Sequence, residues 1–178
     1  MPSIGLYTAT ENELGAVQRA AEQVETDLVV RSESDLDGIV DLDAFVDELT
    51  DATAVVVWLH GAEESMPGYD HAIERFDEAD VPVVVKSTGD AFAFEDSTVS
   101  EPVRDRVYEY LERGGTANVA NCLRHLRAAV GGADPEYDDP VSLPTEGVYH
   151  PDYPGTSYDE LVSTFDADRP TVAVWFYE

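Results

Sequence analysis

Two stretches of this chain, AVVVWLH at residues 54–60 and DVPVVVKS at residues 80–87, are almost unbroken runs of β-branched and other apolar residues. A strand with one wet face alternates apolar and polar side chains. A strand covered on both faces reads as a continuous apolar run. Such runs belong in a parallel sheet with helices packed on both sides, and the rest of the first 95 residues agrees. SIGLYT (3–8) and DLVVR (27–31) are further short strands. Residues 10–24 form a helix opened by Thr10, with Glu13 three residues on completing a capping box. DLDAFVDELT (41–50) places Leu42, Phe45, Val46 and Leu49 at i, i+3, i+4, i+7, and GYDHAIERFDEA (68–79) is the next helix. Pro82 is tolerated near the start of the fourth strand. This β-α rhythm, with right-handed crossovers, predicts an α/β fold: a flavodoxin-like doubly wound parallel sheet of order 2-1-3-4.

After Asp96 the pattern turns helical. Residues 101–113 form one helix, stopped by Gly114-Gly115. Thr116 caps a second, TANVANCLRHLRAAV, whose apolar stripe is Val119, Cys122, Leu123, Leu126 and Val130. The expected organisation is an α/β domain with two C-terminal helices over 1–130, then a linker over 131–143, rich in Gly, Pro and acid without periodicity. Residues 144–178 read as the start of a second domain or an extension, with a short helix near Tyr158 and a terminal strand at 171–177. A domain seldom finishes on so apolar a strand, so the sequence raises the expectation that a longer protein continues beyond it.

Charge narrows the function classes. Thirty-eight Asp and Glu stand against ten Lys and Arg, a formal net charge of -28, and Lys86 is the only lysine. Acid spread over every segment reads as a surface adapted to a salt-rich cytoplasm, where the Debye length shrinks to about 3 Å at 1 M salt. A nucleic-acid partner is disfavoured, since phosphate binding needs clustered positive charge. No run of 18 apolar residues and no charged-then-apolar leader is present, so no membrane role is expected and the cytoplasm is the expected location. Cys122, the one cysteine, forms no internal disulfide and anchors no thiolate cluster.

Ligands of such sheets bind outside the carboxyl ends of the strands, which here means residues 8–12, 60–68 and 87–96. The first loop, TATEN, invites comparison with a flavin phosphate loop, but Glu11 and Glu13 would face the anion, and helix capping explains Thr10 better. The second, HGAEESMPGYDH, holds His60, Gly61, Glu64 and His71. These are candidate ligand contacts, although the spacing matches no tight metal motif and a solvated polar loop explains most of it. The third begins STGD and is polar as any such loop is. G-x-S-x-G, Walker A and G-x-G-x-x-G fingerprints are all missing, so no catalytic residue is assigned. Five arginines between Arg104 and Arg127 meet three acids, a local excess of positive charge. Arg124 and Arg127, with His125, lie off the apolar stripe and could meet a carboxylate-bearing ligand or an acidic partner; helix-end charge complementarity and intramolecular pairing explain them better.

Three stretches resemble the amino-terminal region of the cobaltochelatase large subunit (CobN type), a relative of the magnesium chelatase H subunit: LYTATENEL, YLERGGTANVANCLRHL, and GVYHPD followed by a short acidic helix and RPTVAVWFYE. The third is the most specific, while HGAEESMPG departs from the glycine-rich loop such proteins would carry there. The resemblance implies insertion of cobalt into a corrin precursor, hydrogenobyrinic acid a,c-diamide, in cobalamin synthesis. It implies a tetrapyrrole held by the large subunit, and Mg-ATP hydrolysed on separate AAA-type partner subunits. Metal-handling residues are expected in later domains, leaving this region non-catalytic, with no cofactor of its own. The remainder of the large subunit would be a further partner. Cobalt is favoured over magnesium because chlorophyll synthesis requires a phototroph. The competing readings are a stand-alone flavodoxin-like protein binding a flavin, nucleotide or corrinoid, and a partner-docking module.

Overall fold

A computed structural model describes residues 3–9, 11–24, 26–88, 95–142, 158–163 and 165. Four parallel strands lie in the order β2-β1-β3-β4, as expected. They are β1 (Ser3–Thr8), β2 (Asp27–Ser32), β3 (Ala54–Leu59) and β4 (Val83–Ser87). The register sets Gly5 beside Val29 and Val55, and Val56 beside Val84. β3 and β4 are buried along nearly their whole length, so their continuous apolar runs report two covered faces.

One face carries α2 (Ile39–Glu48) and α3 (Tyr69–Glu78). Phe45, Leu49 and Phe76 from these helices close over Tyr7, Val55, Val57, Val83 and Val85. The other face carries α1 (Leu14–Gln23), α4 (Glu101–Arg113) and α5 (Gly115–Ala129), which close over Ile4, Leu6, Val56 and Val84. The free edge of β4 does not stay bare. Thr98 Oγ1 accepts from the Val83 amide at 2.8 Å, Ser97 Oγ from the Val85 amide at 3.0 Å, and the Thr98 amide donates to the Val83 carbonyl. These hydroxyls stand in for the strand that would otherwise pair there.

Three local expectations need correction. α1 begins at Leu14 with Glu13 as its N-cap, in helical backbone and without a side-chain cap bond; Thr10 lies outside the described residues. α2 starts at Ile39 and ends at Glu48, two residues earlier at each end than the apolar spacing suggested. Thr116 does not cap α5: Gly114 is the N-cap and the helix begins at Gly115. Both glycines take positive φ, +59° and +78°, where a Cβ is strained, so the Gly-Gly pair is what lets α4 turn directly into α5. Thr116 instead accepts a bond from Arg19 Nε at 3.3 Å.

After α5 the chain has no regular secondary structure from Gly132 to Ser142, yet it is tightly held. Tyr110 Oη donates to the Asp138 carbonyl and Arg113 to the Pro140 carbonyl. Asn118 exchanges two bonds with the Val141 backbone, each at 2.9 Å. Residues 133–142 are therefore a strap fastened to the α4–α5 hairpin by side chains. The chain divides into two compact units, Met1–Ser142 and Leu143–Glu178. Within the second, the described part is α6 (Tyr158–Ser163). The GVYHPD stretch and the expected strand at 171–177 lie outside the described residues.

Candidate functional site

The carboxyl edge of the sheet is laced together by hydroxyls. Tyr7, buried in β1, donates to the Ser65 carbonyl at 2.5 Å. Ser65 Oγ donates to the Ala62 carbonyl at 2.8 Å and accepts from the His60 amide at 3.3 Å. From β4, Ser87 Oγ donates to the Gly61 carbonyl, and Thr88 Oγ1 accepts from the Gly61 amide at 3.2 Å. Thr88 Oγ1 also lies 3.4 Å from His60 Nδ1. The loop after β3 is thus tied to β1 on one side and β4 on the other. Gly61 sits at φ +89° in open space, and the His60 side chain is exposed. This arrangement presents an imidazole and a fixed peptide to the crevice. It suits contact with a bound molecule better than nucleophilic chemistry, because each of these hydroxyls is already engaged and, among the described residues, no carboxylate orients His60.

Beside this edge the character is acidic. Tyr69 Oη donates to Asp96 Oδ2 at 2.7 Å. Burial and this carboxylate push its phenol well above the ordinary value, and burial, with Glu33 nearby, does the same for Tyr7. The Glu63 carboxyl is raised by desolvation and then by Asp70, Asp96 and Glu64. A groove of about 350 Å³ between α3 and β4 is lined by Asp70, Glu74, Asp77, Glu95 and Asp96; its charge repels an anionic ligand. Among the described residues, no group of three or more His, Cys, Asp or Glu is placed to hold a metal ion. Nor, among these residues, is any helix long and apolar enough to cross a membrane.

The sequence candidates separate into different environments. His60 and Gly61 share the laced edge, and Glu64 lies exposed in the short 3-10 turn Glu63–Ser65 just after them. His71 turns onto α2, its Nε2 2.8 Å from Asp43, which also receives Arg75 at 3.1 Å; Arg75 reaches Asp47 at 2.6 Å as well. Arg124 sits on the α1–α5 seam, donating to the Gln23 carbonyl at the end of α1 (2.8 Å) and to Asn121 Oδ1 (3.1 Å). Arg127, in the last turn of α5, is half-buried, with its Nε enclosed and unpartnered. His125 was expected off the apolar stripe and is not. It is 8% exposed, packed between Tyr110 (6.2 Å) and Tyr137 (5.2 Å, edge-on). Its α5 is covered by the strap as well as by the sheet, so a single apolar stripe understates what is buried.

Ser65, Thr88 and Tyr7 were not singled out by sequence reasoning. Thr88 belongs to the STGD loop that was read as merely polar, and its neighbours Gly89 and Asp90 lie outside the described residues. Tyr7 held the clearer signal: a phenol inside a strand of a doubly covered sheet must find a hydrogen-bond acceptor.

Comparison with known proteins bears on the chain as a whole rather than on this edge. Residues 108–178 match the family CobN/Magnesium Chelatase. That stretch is similar to the family, and it covers less than half of the chain. The likeness to the cobaltochelatase large subunit therefore holds, over a stretch that starts inside α4 and takes in α5, the strap and the second unit. The chain is 30% identical over 87 residues to an uncharacterized protein of Methanocaldococcus jannaschii, covering 46% of this chain and 7% of that protein. It is also 30% identical over 73 residues to the aerobic cobaltochelatase subunit CobN of Pseudomonas aeruginosa, covering 41% of this chain and 6% of that protein. The structure resembles that of the catalytic subunit of cobaltochelatase from Mycobacterium tuberculosis, with a TM-score of 0.68 and 22% identity. The match covers 84% of this chain and 12% of that one, a likeness of fold. The chain thus spans a small fraction of the length of each protein it matches.

Proposed function

We propose that this chain is part of the large subunit of an ATP-dependent cobaltochelatase, a cytoplasmic enzyme that inserts cobalt into hydrogenobyrinic acid a,c-diamide during cobalamin synthesis. The observation that carries the reading is the family match over residues 108–178. The fold likeness to a cobaltochelatase subunit over 84% of the chain supports it. Cobalt is here a substrate, and the chain needs no resident metal. The region is non-catalytic by itself. It acts as a rigid α/β platform for the rest of the subunit, with Mg-ATP hydrolysed on separate AAA-type partners. Of the candidate contacts, His60 and Gly61 on the laced edge keep a role toward the tetrapyrrole. His71 and Arg124 are spent on internal bonds.

The size of the native gene product tests the reading. An immunoblot of source-cell lysate with antibody to this chain should show a band many times the 19.5 kDa of these 178 residues. A band near 19.5 kDa would overturn it.

A further inference from the structure

The strap over α4–α5 is built unlike the rest of the molecule. Its backbone bonds run chiefly to side chains: the Asp138 amide to Asn121 Oδ1, the Val141 amide and carbonyl to Asn118, and the Asp138 and Pro140 carbonyls to Tyr110 and Arg113. Arg106 adds an ion pair with Asp139 at 3.2 Å. Beneath it lies His125, more than nine-tenths buried, with neither ring nitrogen making a hydrogen bond of good geometry. Tyr137 of the strap covers the ring edge-on, and Tyr110 of α4 closes the other side. An unpartnered imidazole in such a place is tolerable while neutral and costly once charged.

Other neighbours relieve that cost only in part. From α4, the Val103 carbonyl faces the ring and favours a proton, whereas the Arg106 guanidinium opposes one; burial is the largest influence and holds the imidazole below its ordinary value. From the strap, Asp139 is engaged with Arg106. From α5 itself, the buried Cys122 thiol is pushed up to about 12 and stays neutral. The cheapest route to a charged His125 is for Tyr137 to lift away and admit water.

We propose that residues 133–142 are a pH-sensitive latch, closed over α4–α5 while His125 is neutral and opened when His125 takes a proton. The latch is the last stretch of the first compact unit. The inference does not depend on the chelatase reading.

The sign follows from linkage. The open state titrates near the ordinary value of about 6.5 and the closed state lower. Well above about 6.5 neither binds a proton and opening is independent of pH. Between that value and the lowered one the open state binds more protons, so the opening constant grows by up to about tenfold per pH unit.

Hydrogen exchange on the whole chain reads this directly. It should be followed as protection factors, which remove the intrinsic pH dependence of exchange, at about pH 7.5, 6.5 and 5.5. The Asp138 and Val141 amides should lose protection by up to about fivefold between the two lower values. The β3 amides Val55–Val57 should hold theirs, and His125→Phe should abolish the response. Should that variant fail to fold, His125→Gln serves instead. Strap protection indifferent to pH would overturn the latch. So would an undiminished response in the folded variant, or a parallel loss in β3, which would mean that His125 titrates only on global unfolding.

Discussion

Helices α2 and α3, on one face of the sheet, and α1 and α5, on the other, differ in what surrounds their arginines. On one face, α2 and α3 carry four carboxylates each in ten residues. Their cations bind acids: Arg75 bridges Asp43 and Asp47, and His71 shares Asp43. On the other face α4 also carries acids and pairs Arg104 with Glu101 and Asp105 and Arg106 with Glu109, but α1 has Glu22 as its one acid and α5, at 15 residues, has none. On α1 and α5 the arginines bind backbone carbonyls and hydroxyls instead: Arg124 takes the Gln23 carbonyl and Arg19 the Thr116 hydroxyl. The reason is burial. α5 is packed on the sheet, against α4 and under the strap, and eight of its residues are buried. A carboxylate there would lose its water without gaining a partner, while the outer faces of α2 and α3 keep theirs solvated. A net charge of -28 is therefore not spread evenly. It marks which surfaces meet water.

The sharpest way to break this comparison is to move an acid from one face to the other. Ala120→Asp, at a fully buried position of α5, should cost about 4 kcal/mol or more and abolish folding at ordinary temperature. Val40→Asp, on the exposed start of α2, should stay within about 0.5 kcal/mol. Urea unfolding of both variants is the check, and similar losses would mean that burial does not govern where the acid lies. Next in size, Asn118→Ala removes the bonds to the Gly114 carbonyl and the Val141 backbone. A loss of about 1–3 kcal/mol should follow, with exchange rising first at Val141. Arg124→Met keeps the aliphatic stem and loses the bond to the end of α1, for about 0.5–1.5 kcal/mol. That loss should change little between low and high salt, since the acceptor is a carbonyl. The smallest effect belongs to Asp43→Asn, which weakens two half-exposed pairs for about 0.2–1 kcal/mol. Measured again in about 1 M salt, that loss should shrink toward zero. A salt-dependent Arg124→Met together with a salt-independent Asp43→Asn would invert the comparison.

Much of the fold could be read because its signals are local. The β-branched runs ending at Leu59 and Ser87 fix two strands covered on both faces. The apolar spacing from Leu42 to Leu49 fixes α2, and Gly114-Gly115 fixes the hairpin corner. What the sequence hid is what depends on a third partner. His125 looked peripheral because a helical wheel drawn for one buried side has no place for the strap. The strap carries no periodicity because its order comes from Asn118, Asn121, Tyr110 and Arg113, residues on other elements. At the carboxyl edge, His60 and Gly61 were legible as loop residues after a strand. Their fastening by Thr88, Ser87 and Ser65 was not, since single hydroxyls in polar loops have no sequence signature. His71 was separated from that edge by its bond to Asp43, a pairing between helices that spacing alone does not reveal.

The central claim, that this chain works within a cobaltochelatase large subunit, is tested most directly by depletion. Source-cell lysate would be passed over immobilised antibody to the chain. The flow-through would then be assayed for ATP-dependent incorporation of cobalt into hydrogenobyrinic acid a,c-diamide, followed by the change in its absorbance. The account predicts that depletion removes the activity and that adding back the eluted native protein restores it. Cobalt insertion that proceeds undiminished in the depleted lysate would contradict it.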